Sequence, residues 1–298
     1  MIHVAFAPDD NYVMPTAVAM ASLLENTPED VVLYLIYIEG HLSKYNIDVL
    51  SKIANKYKTI IKLVSVPRNE LEEFPKFRHG LSAYLRIMTP YLLPNLDKLL
   101  YLDGDIIVEK SLLELYQINL SDKEWAAVAD LKPFVDSGYV ESIGFNLKAH
   151  PYVNSGVMLL NLAEMRKRNI KERVQNYLSK YKDIIYHEDQ DILNCCCDDI
   201  IILPPKYNCI IHLWTNKYEL CKSVWSSEDI QEAKERPVII HFLGGHKPWK
   251  YLTLHPYKKR WFYYLDKTDY KGWRPKSTIK EKLQKLKSVI LDIKHNLC

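Results

Sequence analysis

A chain of 298 residues, 48% hydrophobic and 26% charged, is long enough for one large α/β domain or two small ones and has the make-up of an ordinary soluble globular protein. Its net charge of +3 demands no nucleic-acid partner, because Lys271–Cys298 alone carries eight Lys/Arg against two Asp/Glu and leaves the body slightly acidic. No basic-then-apolar leader precedes Asp9-Asp10, no apolar run reaches the roughly 18 residues that span a bilayer, and six cysteines, three of them consecutive at Cys195–Cys197, form neither a disulfide framework nor a paired zinc motif. These features fit reduced thiols in a cytoplasmic protein.

Ile2–Ala7 reads as a buried first strand, and Pro8-Asp9-Asp10-Asn11-Tyr12 as the polar loop at its carboxyl end. Pro15 stands in the first turn of a helix that runs to Leu24. Val31–Ile38, rich in Val, Ile, Leu and Tyr, predicts a second strand. Ser43 caps a helix reaching about Tyr57, and Thr59–Val66 is the third strand. Strands and helices alternating at this spacing predict a parallel sheet with helices on its faces. Ligands of such sheets sit outside the carboxyl ends of the strands, where Asp9, Asp10 and Asn11 lie. The nine glycines include no G-x-G-x-x-G and no P-loop, which counts against enzymes built on those phosphate cradles.

Ser82–Ile87 looks helical, with Arg86 available to an acid or a phosphate, or else exposed as a surface cation. Leu99–Leu102 is an apolar strand, and Asp103-Gly104-Asp105 follows it before Ile106-Ile107-Val108. In extended chain, residues two apart share a face, so both carboxylates would meet at one spot. Two like charges that close call for a cation between them, and a hard divalent ion suits oxygen ligands. The plain alternative is a polar strand-end turn around Gly104. Trp125–Ala129 is a further strand, ending in Asp130. Asn154-Ser155-Gly156 precedes the apolar Val157–Leu160, and Asn161 caps a long charged helix through Lys180.

His187-Glu188-Asp189-Gln190-Asp191 opens another helix. Acids there favour the positive end of the helix dipole and are usually solvated, but the same end can present Asp189 and Gln190 to a polar ligand. Val238–Phe242 is a late strand that ends near His241, a third metal ligand or a hydrogen-bonded core histidine. In the following Gly244-Gly245-His246-Lys247-Pro248-Trp249, Lys247 is a point charge for phosphate or a solvent-facing lysine. From Thr278 on, Ile279, Leu283, Leu286, Ile290, Ile293 and Leu297 recur every three or four residues with lysines between them. Such a helix suits an anionic membrane surface or packing on protein.

Taken in order, Phe6-Ala7-Pro8-Asp9-Asp10-Asn11-Tyr12, Tyr84-Leu85-Arg86, Tyr101-Leu102-Asp103-Gly104-Asp105, Asn154-Ser155-Gly156-Val157, Asp189-Gln190-Asp191-Ile192-Leu193-Asn194 and His241–Trp249 resemble glycosyltransferase family 8. The bacterial lipopolysaccharide and lipooligosaccharide galactosyl- and glucosyltransferases are the members they look most like. The resemblance implies a GT-A-type α/β fold, a mostly parallel central sheet flanked by helices, with a catalytic domain over 1–265 and a basic amphipathic C-terminal tail over 266–298. It implies retaining transfer of glucose or galactose from a UDP-sugar to a saccharide or glycolipid acceptor, using Mn2+ or Mg2+. By position, Asp103, Asp105 and His241 would be metal ligands. Ala7, Asp9, Asn11 and Tyr12 would meet uracil and ribose, and Gly244 and Lys247 the diphosphate. Arg86, Asp130, Asn154, Asp189 and Gln190 would contact the donor sugar. Gly104 departs from the larger residue often found between the two acids, yet its backbone can still approach the ribose. Residues 276–298 would give peripheral contact with the cytoplasmic face of the inner membrane.

Chemical reasoning agrees with these roles. The departing diphosphate needs positive charge, which a cation and Lys247 supply. By the resemblance, the candidate for the position where a retaining hydrolase keeps a carboxylate nucleophile is Gln190, a weak amide nucleophile, with Asp189 beside it. Same-face attack by the acceptor hydroxyl is therefore expected. The paired acids alone would also fit a metal-dependent nucleotidyltransferase or phosphohydrolase, or a non-catalytic sugar-nucleotide-binding protein. A nucleic-acid partner is not expected, since the basic residues concentrate in one terminal helix. The acceptor pocket is expected in the loops around 131–153 and 206–235.

Overall fold

Alternation along the first strands decides the architecture. In β1 (Ile2–Phe6), Ile2, Val4 and Phe6 enter one hydrophobic core and Ala5 another. In β2 (Val31–Ile38), Val31, Leu33 and Leu35 join the first core, while Val32, Tyr34 and Ile36 join the second. A sheet apolar on both faces must be covered on both, and helices do so here. The computed structural model describes residues 1–75, 80–131, 136–148, 150–215 and 218–283.

The remaining strands are β3 (Ile60–Val66), β4 (Lys98–Leu102), β5 (Ile106–Val108), β6 (Trp125–Ala129), β7 (Val153–Asn161), β8 (Ile200–Leu203), β9 (Cys209–Ile210) and β10 (Ile239–His241). Seven form one sheet in the order β3-β2-β1-β4-β7-β6-β8. The pairs β1–β2, β2–β3, β1–β4 and β6–β8 are parallel, and β7 runs antiparallel to both its neighbours. The expected mostly parallel sheet is present, with one reversed strand that periodicity alone does not reveal. A second sheet, β5-β10-β9, lies at the end of the first.

Helix α1 (Val13–Asn26) is buried on nearly every side, as a helix apolar all round must be. Ser43 caps α2 (Lys44–Lys56), its hydroxyl accepting from Asn46 N. Arg86 lies in α3 (Leu85–Leu92). The long helix expected from Asn161 to Lys180 is two helices, α4 (Leu162–Lys167) and α5 (Ile170–Tyr181). Asn161 does cap the first, but Asn169 takes a left-handed backbone (φ 50°) and breaks the run, a conformation asparagine tolerates better than most residues. Helix α6 (Glu188–Cys196) carries the predicted acidic start, and α7 (Lys258–Leu265) packs on α1 through Asn26 and Tyr264. Beyond α7, Lys267 pairs with Glu25 and Asp269 with Lys52.

Thr278 and Glu281 form a reciprocal capping box at the start of the predicted tail helix. The rest of that helix, from residue 284, lies outside the described residues. Among the described residues no helix is long and apolar enough to cross a membrane.

Beside the second sheet, His255 is buried against Phe242, with ring centroids 4.6 Å apart, and near Trp214 and Tyr257. Burial, reinforced by His246, lowers its pKa to about 3. A histidine depressed from 6.5 contributes stability that is complete above pH 6.5 and is lost as pH falls through 3. Between pH 7.5 and 4.5 the wild type should lose roughly 2–3 kcal/mol more stability than His255→Phe, which keeps the aromatic contact without the proton site. Urea melts of both proteins at the two pH values check this, and equal losses would contradict it.

Candidate active site

The chain lays down β1, β2 and β3 in one direction and then adds β4 on the other side of β1. That reversal opens a crevice at the carboxyl ends of β1 and β4, where open α/β sheets bind ligands. Ala5 pairs with Tyr101, so Ala7 and Asp103 stand at the same height beyond the sheet.

After β1, the Asp9 carboxylate accepts from the backbone N–H groups of Asn11 (2.9 Å) and Tyr12 (3.1 Å), shaping the loop into an Asx turn. Burial raises the Tyr12 pKa, and the charges of Asp105, Asp103 and Asp9 raise it further. The acids from both strand ends therefore act on one space. Asp10 does not join them. It turns to α2, accepting from Ser43 N and Asn46 Nδ2, each at 2.8 Å.

After β4 the chain does not stay extended. Strand β4 ends at Leu102, Asp103–Asp105 turns, and β5 starts at Ile106 in the second sheet. There His241 pairs with Ile106, which sets its ring beside the turn. His241 Nε2 lies 3.2 Å from Asp105 Oδ1 and 3.7 Å from Asp103 Oδ2. One ligand atom from each of these three residues falls within 4.8 Å of the others, a set that can hold a divalent cation. Lys247 reaches the second oxygen of Asp105 in an ion pair. Burial opposes ionisation of Asp105, but Lys247 and His241 outweigh it and hold the carboxyl well below the usual range.

Two glycines make room for this centre. A Cβ on Gly104 would come within 2.4 Å of Thr16 Oγ1, which donates to Tyr12 O at 2.8 Å. Thr16 thus takes the space that a larger residue at 104 would use. A Cβ on Gly156 would lie 2.2 Å from His241 Cε1 and 2.8 Å from Asp103 Oδ2. Gly156→Ala is therefore expected to displace both side chains, weakening the binding of any divalent cation held there at least tenfold and lowering stability by about 1–3 kcal/mol through overpacking. Mn2+ titration and a urea melt of the variant check this, and wild-type values in both would contradict it.

Arg86, 7% exposed, ties the centre to the next group of residues. Its guanidinium pairs with Asp103 Oδ1 at 2.7 Å and Asp189 Oδ2 at 3.0 Å, donates to Ser155 O, and stacks 4.7 Å over the Tyr101 ring. Burial pushes Asp189 up to about 6, although Arg86 draws it down. Ser155 Oγ donates to the same Asp189 oxygen at 2.8 Å. Gln190 Oε1 accepts from Asn154 Nδ2 and Ser155 N, both at 3.1 Å, and Asn154 Nδ2 also reaches Asp130 at 3.1 Å. Asp103, Asp105, His241, Lys247, Arg86, Asp189, Gln190, Asn154 and Asp130 thus share one connected hydrogen-bonded cluster. Gly244, with φ +57°, has open space where a Cβ would stand.

The start of α6 is not solvated as its acids would lead one to expect. Glu188, Asp189 and Asp191 are buried. Asp191 accepts from the hydroxyls of Tyr139 and Tyr152, each at 2.5 Å, and from the N–H groups of Tyr186 (3.0 Å) and His187 (2.7 Å). It locks the helix end that carries Asp189 and Gln190. Glu188 sits in the left-handed region (φ 49°), a strained conformation beside the two functional candidates. Asn208, buried to 1% exposure just before β9, also went unread in the sequence. It bridges His241 Nδ1 and Asn154 Oδ1, each at 2.9 Å. A lone amide before an apolar run gives no local signal of this.

Known proteins resemble the chain over most of its length. General stress protein A of Bacillus subtilis is 29% identical over 276 residues, covering 90% of this chain and 94% of the relative. A lipopolysaccharide 1,2-glucosyltransferase of Escherichia coli is 34% identical over 252 residues, covering 83% and 73%. The crystal structure of the galactosyltransferase LgtC with donor and acceptor sugar analogues superposes with a TM-score of 0.79 at 24% identity, covering 95% of this chain and 100% of that one. The fold is accordingly of the GT-A type. The model of glycosyl transferase family 8 matches residues 3–253, and the chain belongs to that family.

Proposed function

We propose that the protein transfers a hexose, glucose or galactose, from a UDP-sugar to a saccharide acceptor, with retention of configuration and with Mn2+ or Mg2+ held by Asp103, Asp105 and His241. The observation that carries this reading is the convergence of those three ligands, with Asp105 paired to Lys247, at the switch-point crevice beside the Arg86–Asp189–Gln190 cluster. Relatives named as lipopolysaccharide 1,2-glucosyltransferase and 1,3-galactosyltransferase support a hexose and a lipopolysaccharide-type acceptor. Ala7, Asp9, Asn11, Tyr12 and Gly104 would line the nucleoside end. Gly244 and Lys247 would meet the diphosphate, and Arg86, Asp130, Asn154, Asp189 and Gln190 the sugar.

The divalent ion supplies Lewis-acid stabilisation of the departing diphosphate. The chain's residues do the rest. Lys247, released from Asp105, adds positive charge where the phosphate charge develops. The bond from C1 to the phosphate oxygen breaks, the acceptor hydroxyl bonds to C1 on the same face, and its proton passes to the departing phosphate oxygen. Gln190 Oε1 already accepts two hydrogen bonds, and one oxygen of Asp189 is held by Arg86 and Ser155. Both side chains are therefore positioned to orient the sugar and stabilise its positive charge, not to attack it. NMR of the product should show an α-linked hexose, with UDP as the released nucleotide. A β-linked product, or a hexose trapped on Gln190 or Asp189 during turnover, would overturn the mechanism, and pyrophosphate or phosphate in place of UDP would overturn the reaction class.

The tail over 276–298 serves, in this reading, as a peripheral anchor on the cytoplasmic face of an anionic membrane. A chain ending at Lys276 should keep donor hydrolysis and lose sedimentation with phosphatidylglycerol vesicles. Unchanged sedimentation would remove the membrane role.

A further inference from the structure

We propose that Asn208 is the positioning residue that fixes which nitrogen His241 offers to the cation and, through its other end, holds the amide that faces the donor sugar. The inference rests on the metal reading above and concerns a residue outside the ligand set.

Hydrogen-bond polarity carries the argument. A backbone N–H can only donate, and that of Gly156 points at Asn154 Oδ1 from 3.0 Å. The Asn154 side chain is thereby oriented, with its oxygen toward Gly156 and its Nδ2 toward Gln190 Oε1 and Asp130. The Asn208 group 2.9 Å from Asn154 Oδ1 must then be the NH2, since two carbonyl oxygens at that distance repel. The Asn208 oxygen is left facing His241 Nδ1 at 2.9 Å, so Nδ1 carries the proton and donates it. With a cation between the three side chains, the ring lone pair on Nε2, the nitrogen that faces Asp103 and Asp105, is the one left to bind it. One buried amide thus sets the tautomer of a ligand, as partners of metal-bound histidines do. The same chain, His241–Asn208–Asn154–Gln190, joins the cation end of the crevice to the sugar end.

The two ends of Asn208 can be tested apart. Asn208→Asp keeps an acceptor for His241 and loses the donor to Asn154. It should bind Mn2+ at least as tightly as the wild type but show a raised KM for the UDP-sugar. Asn208→Ala loses both ends and should bind Mn2+ about 10- to 100-fold more weakly. Electron paramagnetic resonance of Mn2+ titrations reads the first quantity without turnover. Asn208→Ala folding normally and binding Mn2+ as the wild type does would overturn the proposal, as would an equal loss in both variants. Failure of the wild type to bind Mn2+ would instead overturn the metal reading beneath it. Should Asn208→Ala not fold, long-range proton–nitrogen NMR of 15N-histidine-labelled wild type decides. A proton on Nδ1 of the neutral His241 ring supports the relay, and a bare Nδ1 refutes it.

Discussion

Asp105→Ala is expected to lower kcat/KM about a thousandfold and to destabilise the metal-free protein by about 3 kcal/mol. The catalytic loss follows from removing a carboxylate of the proposed cation site, where several kcal/mol of charge stabilisation would be at stake. The folding loss has a different origin. Asp105 is buried and partners both Lys247 and His241, so its removal leaves the Lys247 ammonium, 11% exposed, without its counter-charge. Breaking one side of a buried pair costs far more than the pair itself contributes. Lys247→Met separates the two effects. Lys247 occupies an Asp105 oxygen that a cation would use, so this variant should bind Mn2+ several-fold more tightly than the wild type. It should still turn over about a hundredfold more slowly, because charge on the leaving phosphate loses its partner. Mn2+ titrations, urea melts and initial rates of the three proteins check the pattern. Weaker Mn2+ binding in Lys247→Met would contradict the view of Lys247 as a resident counter-charge that yields its place.

Arg86→Met should be the most damaging single change to the fold. Arg86 is the shared partner of Asp103 and Asp189, and Asp189 is buried. Without the guanidinium, Asp189 must either stay ionised without its cation or take up a proton. A loss of about 3–5 kcal/mol at pH 7.5 is expected. The pH dependence carries the diagnosis. An acid whose folded pKa is raised contributes stability that is complete below its unfolded value of 3.8 and is lost as pH rises through the folded value, about 6 in the wild type. Removing Arg86 raises the folded value further, so the penalty grows with pH. The stability gap between Arg86→Met and wild type should therefore narrow from pH 7.5 to pH 5.5. A gap that stays constant would show that Asp189 is not what Arg86 supports.

The parts of this molecule legible in its sequence are those that local chemistry dictates. The apolar runs of β1, β2 and β4 had to be buried strands, and a ligand crevice at their carboxyl ends followed from the alternation with helices. Asp103 and Asp105 met as read, but for another reason: the chain turns between them, and the second sheet brings His241 up to the turn. What stayed hidden depends on contacts remote in sequence. Asp191 reads as one more acid at a helix start, yet it is buried because two tyrosines and two backbone N–H groups surround it. Asp10 reads like Asp9 and points the other way, because Ser43 and Asn46 give it better partners. Asn208 gains its meaning only where β9 lies beside β10. The break at Asn169 rests on one left-handed residue in a run whose charges favour helix.

The proposed function requires one cation, held by Asp103, Asp105 and His241, to make UDP a leaving group in this crevice. Its most direct test is release of UDP from UDP-glucose and UDP-galactose, measured with Mn2+, with EDTA, and after Mn2+ is restored. Release from one of the two donors is expected to stop in EDTA and to return with Mn2+. Turnover at the full rate in EDTA, or no UDP from either donor even with saccharide acceptors present, would contradict it.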